Sequence, residues 1–368
     1  MTERERWHNV FHYLPVDHVP DREFGYWDDT LRRWRSEGLP EWVTGNGQAD
    51  RFFGFERAGG VPGNAGLIPG FEGKVLEEGE THRIVVDGNG VKSEIFKSGD
   101  SSIPHYLEFP VRDRTSWEDF RRRLDPATPG RFPDEETWQR VKADLEKADY
   151  PVGVSLGSLY GWPRNWMGFE GAAMMMHDDP KLMHDIMEHI TQLITSLIER
   201  PARELKLDYG AIWEDMAFRN GPMISPRMFD EFMVPRYQRL TGLLRENGCD
   251  VFYVDCDGNI NELITLWLKG GVNCMFPVEV AAGSDPIEIR EKHGKECLLM
   301  GGVNKRALAQ GREAIRAEVT RLLPLVEDGG FIPHVDHRVP PDVSYQDYLY
   351  YLDCKRDQYH IPRPEPRE

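Results

Sequence analysis

The sequence predicts an α/β fold, a (β/α)8 TIM barrel with an N-terminal helical extension and an inserted β-hairpin. Three observations predict it. Short apolar runs alternate with helical patterns from residue 151 onward. Polar clusters follow those runs and precede the helices: Trp213-Glu214-Asp215, Asp255-Cys256-Asp257-Gly258-Asn259, Glu279, Gly301-Gly302 and His334-Val335-Asp336-His337. A barrel gathers its working residues at the strand C-termini, where one rim joins positions distant in sequence. The length of 368 residues suits one such barrel, and no linker divides it, so a single domain over 1–368 is expected.

The elements follow in order. Thr2 and Glu5 form a capping box that opens a helix running to about Leu14, stopped by Pro15 and Pro20. Asp21 to Trp27 is the first candidate strand. Asp29 to Glu37 repeats apolar residues at helical spacing, and Gly38 and Pro40 end it. Residues 41–72 show no clean period and read as loop with short helical turns. Two strand-like runs flank Asn89-Gly90, which marks a hairpin insertion over about 74–97. Helices are expected over Ser116–Leu124 and Asp134–Ala148. Strands are then expected at Val152–Ser155, Tyr209–Trp213, Val251–Val254, Val272–Phe276, Cys297–Met300 and Phe331–Pro333. Helices separate them, at Pro180 to about Leu205, Ser225–Asn247, Asn259–Leu268, Pro286–His293 and 304–326. Ser344–Tyr359 is the last.

Composition narrows the function. Hydrophobic residues make up 40% and charged residues 29%, enough for both a core and a hydrated surface. The net charge of −17 repels phosphate backbones and anionic lipid, so nucleic-acid and membrane partners are not expected. The charged N-terminus has no apolar signal region, and no apolar run is long enough to span a membrane. Five cysteines without a Cys-x-x-Cys motif suit a reduced, cytoplasmic protein.

The clusters supply the candidate residues. Asp255 and Asp257 stand two apart at a strand end, so they face the same way and each raises the other's pKa. Such a pair suits a metal or a general acid; the alternative is helix capping by Asp257 or Asn259. His337 and His334 leave the last strand, where imidazole suits proton transfer or ligation, or a surface histidine held by Asp336. Glu214 and Asp215 offer a base, or a cap for the loop to Ser225. Glu279 is a substrate contact or a surface carboxylate. Gly301 and Gly302 allow a ligand to approach the backbone, or make a tight turn. Tyr160, Trp162 and Arg164 make a wall for a flat ligand, or ordinary packing.

Several stretches resemble the uroporphyrinogen decarboxylase superfamily. They are Asn220 to Phe229, the Asp-x-Asp-Gly-Asn motif, Gly301-Gly302-Val303, and His337-Arg338-Val339-Pro340-Pro341-Asp342. The resemblance implies a single TIM barrel and one of two chemistries. Cofactor-free decarboxylases of the superfamily use an Arg-Gln-Ala-Gly-Arg stretch to hold substrate carboxylates. Here that place reads Arg22-Glu23-Phe24-Gly25-Tyr26-Trp27, so Glu23 and Tyr26 become substrate-contact candidates in place of cations. The methyltransferase branch holds zinc on a His-x-Cys-Gly-Asn motif and a later Cys. Those places carry Asp255, Asp257 and His337, implying an oxygen-rich site for Zn2+ or another divalent metal. The leading expectation is a corrinoid-linked methyltransferase acting on a small methylated substrate. The alternatives are a decarboxylase of a porphyrinogen or a smaller carboxylate, with no cofactor, and a non-catalytic small-ligand binder. Expected partners are a small-molecule substrate, a corrinoid protein that supplies the corrinoid, and a second copy of the chain as a homodimer.

Overall fold

A computed structural model of the chain describes residues 1–97 and 104–364. Seven parallel strands run in the order Gly59–Gly60, Val152–Ser155, Tyr209–Trp213, Phe252–Asp255, Cys274–Val278, Leu298–Val303 and Phe331–Val335. Each neighbour follows the last in sequence, the right-handed βα winding of a barrel. The eighth stave is the extended segment 21–27. It meets the segment after the last strand through a single parallel bridge, Tyr26 to Val339, and the last strand itself through Val335 N–H donating to Glu23 Oε2 at 3.1 Å. On its other side Glu56 N–H donates to the Asp21 carbonyl at 2.9 Å, just ahead of Gly59–Gly60. The expected first strand is therefore a stave held mainly by side chains.

A buried ionic cluster fastens that stave. Lys355, wholly buried on the helix Tyr345–Gln358, meets Asp21 Oδ1 at 3.0 Å and Glu23 Oε1 at 2.7 Å. Arg356 Nε reaches Asp21 Oδ2 at 2.8 Å, and Tyr351 donates to Glu23 Oε1 at 2.8 Å. Burial pulls the Lys355 pKa down, but the two carboxylates outweigh it and leave the pKa raised. Below the barrel, the helix Glu3–Phe11 starts on the Thr2–Glu5 capping box and carries Trp7, Val10 and Phe11 into the core. Its Val10 carbonyl accepts from Gly330 N–H, just ahead of the last strand.

Three departures from the sequence pattern matter for the site. The insertion is an antiparallel sheet of four strands, Lys74–Glu78, His82–Val86, Lys92–Phe96 and His105–Glu108, so it reaches beyond the expected hairpin. The first and last of these strands expose every residue, and a two-face burial pattern is absent there. The helices Gly161–Met167 and Phe169–Asp178 were not expected; Gly168 separates them at φ +77°. The segment expected as one helix to Asn247 is two, Pro226–Phe232 and Val234–Arg245. Pro235 lacks the N–H that would continue the first into the second. Among the described residues no helix is long and apolar enough to cross a membrane.

Candidate active site

The strand ends converge as the alternation requires. Tyr253 faces the barrel interior, so Asp255, two residues on, faces it too, at the rim. His337 Nε2 lies 3.1 Å from Asp257 Oδ2, joining the end of the last strand to the Asp255–Asn259 loop. Trp27 stacks on the His337 ring at 5.6 Å and Phe24 meets it edge-on at 5.5 Å. Burial would lower the His337 pKa, but the hydrogen bond and charge of Asp257 outweigh burial and raise it. Asp255 is pushed up to about 7, first by burial and then by Asp257 and Asp215, against His337 and Arg338. Asp255 is thus an acid that exchanges its proton near neutrality, beside a histidine held toward its charged form.

Asp215 completes the cluster under strain. Its φ is +41°, in the left-handed region that favours glycine. Arg164 holds it there, donating to its carbonyl at 2.6 Å and to Oδ2 at 2.9 Å. Glu279 is equally engaged: Lys305 Nζ lies 2.5 Å from Oε1, and Gly258 N–H donates to Oε2 at 2.8 Å. Asp336, pushed up to about 6 chiefly by burial, accepts from the Lys305 and Ala281 N–H groups. Four carboxylates, Asp255, Asp257, Asp215 and Glu279, therefore gather at the mouth, with Asp336 buried behind them; Arg164 and Lys305 have acidic partners, while Arg338 stacks over Trp27 at 5.3 Å.

Other expected site residues lie elsewhere. Glu214 is fully buried behind the strand and accepts from Ser158, the Leu159, Tyr160 and Gly161 N–H groups, and Tyr237. It ties the barrel wall to the start of the helix Gly161–Met167 and has no path to a substrate. Period two carried this signal: Trp213 faces inward, so Glu214 faces the helix layer. Tyr26 is buried, its hydroxyl 2.6 Å from that of Tyr348, and Glu23 belongs to the closure cluster; neither faces a substrate. Tyr160 is buried with an unpartnered hydroxyl, and Trp162 packs over Gly157, where an added Cβ would come within 2.7 Å of its ring. Gly301 and Gly302 serve close packing: an added Cβ would meet Val278 N at 2.9 Å and Pro286 Cγ at 2.6 Å. His334 is buried, bonded to the Val335 carbonyl at 2.8 Å, and burial pushes it down to about 3, so it stays neutral.

Beneath the rim is a cavity of about 200 Å³ lined by Arg22, Phe24, Tyr253, Phe276 and His334. Arg22 stacks over Trp7 at 5.1 Å and has no acid in ion-pair range among the described residues. Sequence pattern gave no signal for this placement, nor for Lys305 or the two rings around His337.

The chemistry of Asp255, Asp257 and His337 suits a hard cation, and Asp257 Oδ1 is buried without a partner. Their geometry is a histidine–carboxylate pair beside a separate acid. Among the described residues no three His, Cys, Asp or Glu side chains form a group that could hold a metal ion. The expected three-ligand set is not assembled in this arrangement.

Residues 101–357 match the uroporphyrinogen decarboxylase (URO-D) family model. The chain belongs to the URO-D family. Similar curated proteins include the uroporphyrinogen decarboxylases of Pseudomonas syringae pv. syringae (strain B728a), 24% identical over 52% of this chain and 54% of that protein, and Pseudomonas aeruginosa (strain UCBPP-PA14), 26% identical over 48% of each. The URO-D chain thus spans about half the length of the curated relatives it matches. A methyltransferase from Methanosarcina mazei superposes over 98% of this chain and 99% of its own, with a TM-score of 0.61 and 17% identity, which establishes the shared barrel.

Proposed function

We propose that this URO-D family member removes a methyl group from a neutral or cationic small substrate, with Asp255 as the proton donor. The observation that carries the reading is the acid-rich mouth, in which Asp255 titrates near 7 and carboxylates outnumber the cations Arg164, Lys305 and Arg338. Such a mouth favours a substrate without carboxylates, since each desolvated carboxylate lacking a partner costs about 1–3 kcal/mol or more. When a methyl group leaves a heteroatom for a nucleophilic acceptor, the bonding pair stays on the heteroatom. On a neutral donor the heteroatom is left anionic and Asp255 protonates it, with His337, held by Asp257, returning the proton to Asp255; on a cationic donor the heteroatom leaves neutral and the acids stabilise the charged ground state instead. On the family resemblance the acceptor is a corrinoid carried by a partner protein, which supplies the nucleophile.

The test pairs two assays. Purified enzyme, a reduced corrinoid acceptor and a panel of neutral and cationic methylated donors should give demethylated product by mass spectrometry. Uroporphyrinogen turnover should fall at least ~10³-fold below that of a decarboxylase, because several carboxylates would go unpaired. Efficient coproporphyrinogen formation would overturn the reading in favour of decarboxylation. That second reading has one observation of its own, the unpaired Arg22 in the cavity below the rim, which suits a single carboxylate.

A divalent ion on Asp255, Asp257 and His337 is a separate proposal, and it requires these side chains to draw together. Elemental analysis of purified protein tests it. One ion per chain, lost together with activity on chelation, supports it; full activity in metal-free protein removes it.

A further inference from the structure

We propose that the hollow between the inserted sheet and the barrel rim binds the planar aromatic part of an uncharged substrate. The hollow has a volume of about 520 Å³, within the ~300–1,000 Å³ range of small-molecule sites. Tyr106 and Phe109 come from the inserted sheet and its exit, Phe169 from the helix Phe169–Asp178, and Phe218 and Met223 from the segment after Asp215. Tyr106, Phe169 and Phe218 remain 49%, 42% and 53% exposed although they line a concave space. Phe169 and Phe218 meet edge-on at 5.7 Å, and Tyr106 lies 5.6 Å from Phe109, so two pairs of rings border the gap. Rings held apart around a hollow leave room for another ring to stack or meet them edge-on, which hides apolar surface on both partners.

The polar groups select against an anion. Arg164 borders the hollow, but its charge is taken up by Asp215. Asp87 turns inward on its own loop, accepting from the Asn89 and Val91 N–H groups. Asn89 and Asn165 remain for hydrogen bonds to a neutral substituent.

Two residues of the hollow touch the segments that carry the acids at the mouth. Arg164 reaches Asp215 from it, and the Phe218 carbonyl accepts from Asn259 N–H at 3.0 Å, on the loop that carries Asp255 and Asp257. Gly258 makes this approach feasible, since an added Cβ would lie 2.5 Å from the Ala217 carbonyl oxygen. The proposal rests on the mouth being the site of reaction, as argued above, and it names the class of substrate.

The test uses the full chain and the neutral fluorescent probe N-phenylnaphthylamine. One saturable site is expected. Phe169→Ala and Phe218→Ala should each weaken probe binding about tenfold, the loss of one ring contact. Phe96→Ala, which removes an exposed ring of the same sheet away from the hollow, should leave it unchanged. Unchanged binding in both hollow variants, or equal weakening by Phe96→Ala, would overturn the proposal and indicate general adhesion to exposed rings. All three side chains are exposed, and circular dichroism melts within a few degrees of wild type verify folding. Asp255→Asn separates this proposal from the functional reading: probe binding persists, while its turnover reports on the reaction alone.

Discussion

Asp255→Asn is expected to lower kcat/KM by about 10²–10⁴-fold, the usual contribution of a positioned proton donor. The pH profile carries the diagnosis. Wild-type activity should decline as the pH rises through about 7, where Asp255 gives up its proton, and the variant should lose that limb. Stability should decline over the same rise in pH. The folded-state pKa lies above the unfolded value of 3.8, so between 3.8 and about 7 the folded chain holds the extra proton. Folding stability therefore falls as the pH rises through that window. Replacing the carboxylate by a neutral amide removes the penalty and the repulsion from Asp257 and Asp215, so at pH 8 the variant should melt at or above the wild-type temperature. A catalytic group that weakens its own fold is the signature sought. Activity within tenfold of wild type would remove Asp255 from the mechanism.

Lys355→Met is expected to cost about 3–5 kcal/mol of stability, read from denaturant midpoints, because it strands the buried carboxylate of Glu23 and leaves Asp21 with Arg356 alone. The double variant Lys355→Met, Glu23→Gln should recover part of the loss, since one stranded charge is then removed. A single variant within 1 kcal/mol of wild type would show that water or protonation compensates, and that the cluster does not close the barrel.

The sequence made the barrel readable because its strands are apolar runs between helices. Val152–Ser155 and Tyr209–Trp213 match residue for residue, and the other barrel strands expected from the pattern shift by up to three residues at their ends. The stave 21–27 was located as a strand, but its attachment was not legible. Lys355 and Arg356, which hold it, lie more than 300 residues away and carry no periodic signature. Two-residue Gly59–Gly60 is too short to leave an apolar run, and the exposed outer strands of the inserted sheet lack a buried face to mark them. At the site, alternation placed Asp255 correctly and would have turned Glu214 outward had Trp213 been used to set the phase. What alternation cannot supply is direction after the strand ends. Asp215 departs into a left-handed conformation and His337 crosses to Asp257, and both depend on tertiary contacts.

The closure cluster has a consequence for how the molecule is made. Seven strands acquire their partners in the order of synthesis, each new one docking on its predecessor. The stave that completes the ring is translated some 330 residues before the lysine and arginine that lock it, which belong to the helix Tyr345–Gln358. Until that helix arrives, the nascent ring stays open along one seam, with Asp21 and Glu23 bared to water. Chains interrupted upstream of Lys355 would lack the cations that lock the stave. Such fragments would display an unpaired flank of backbone and offer quality-control proteases a simple mark of incomplete synthesis.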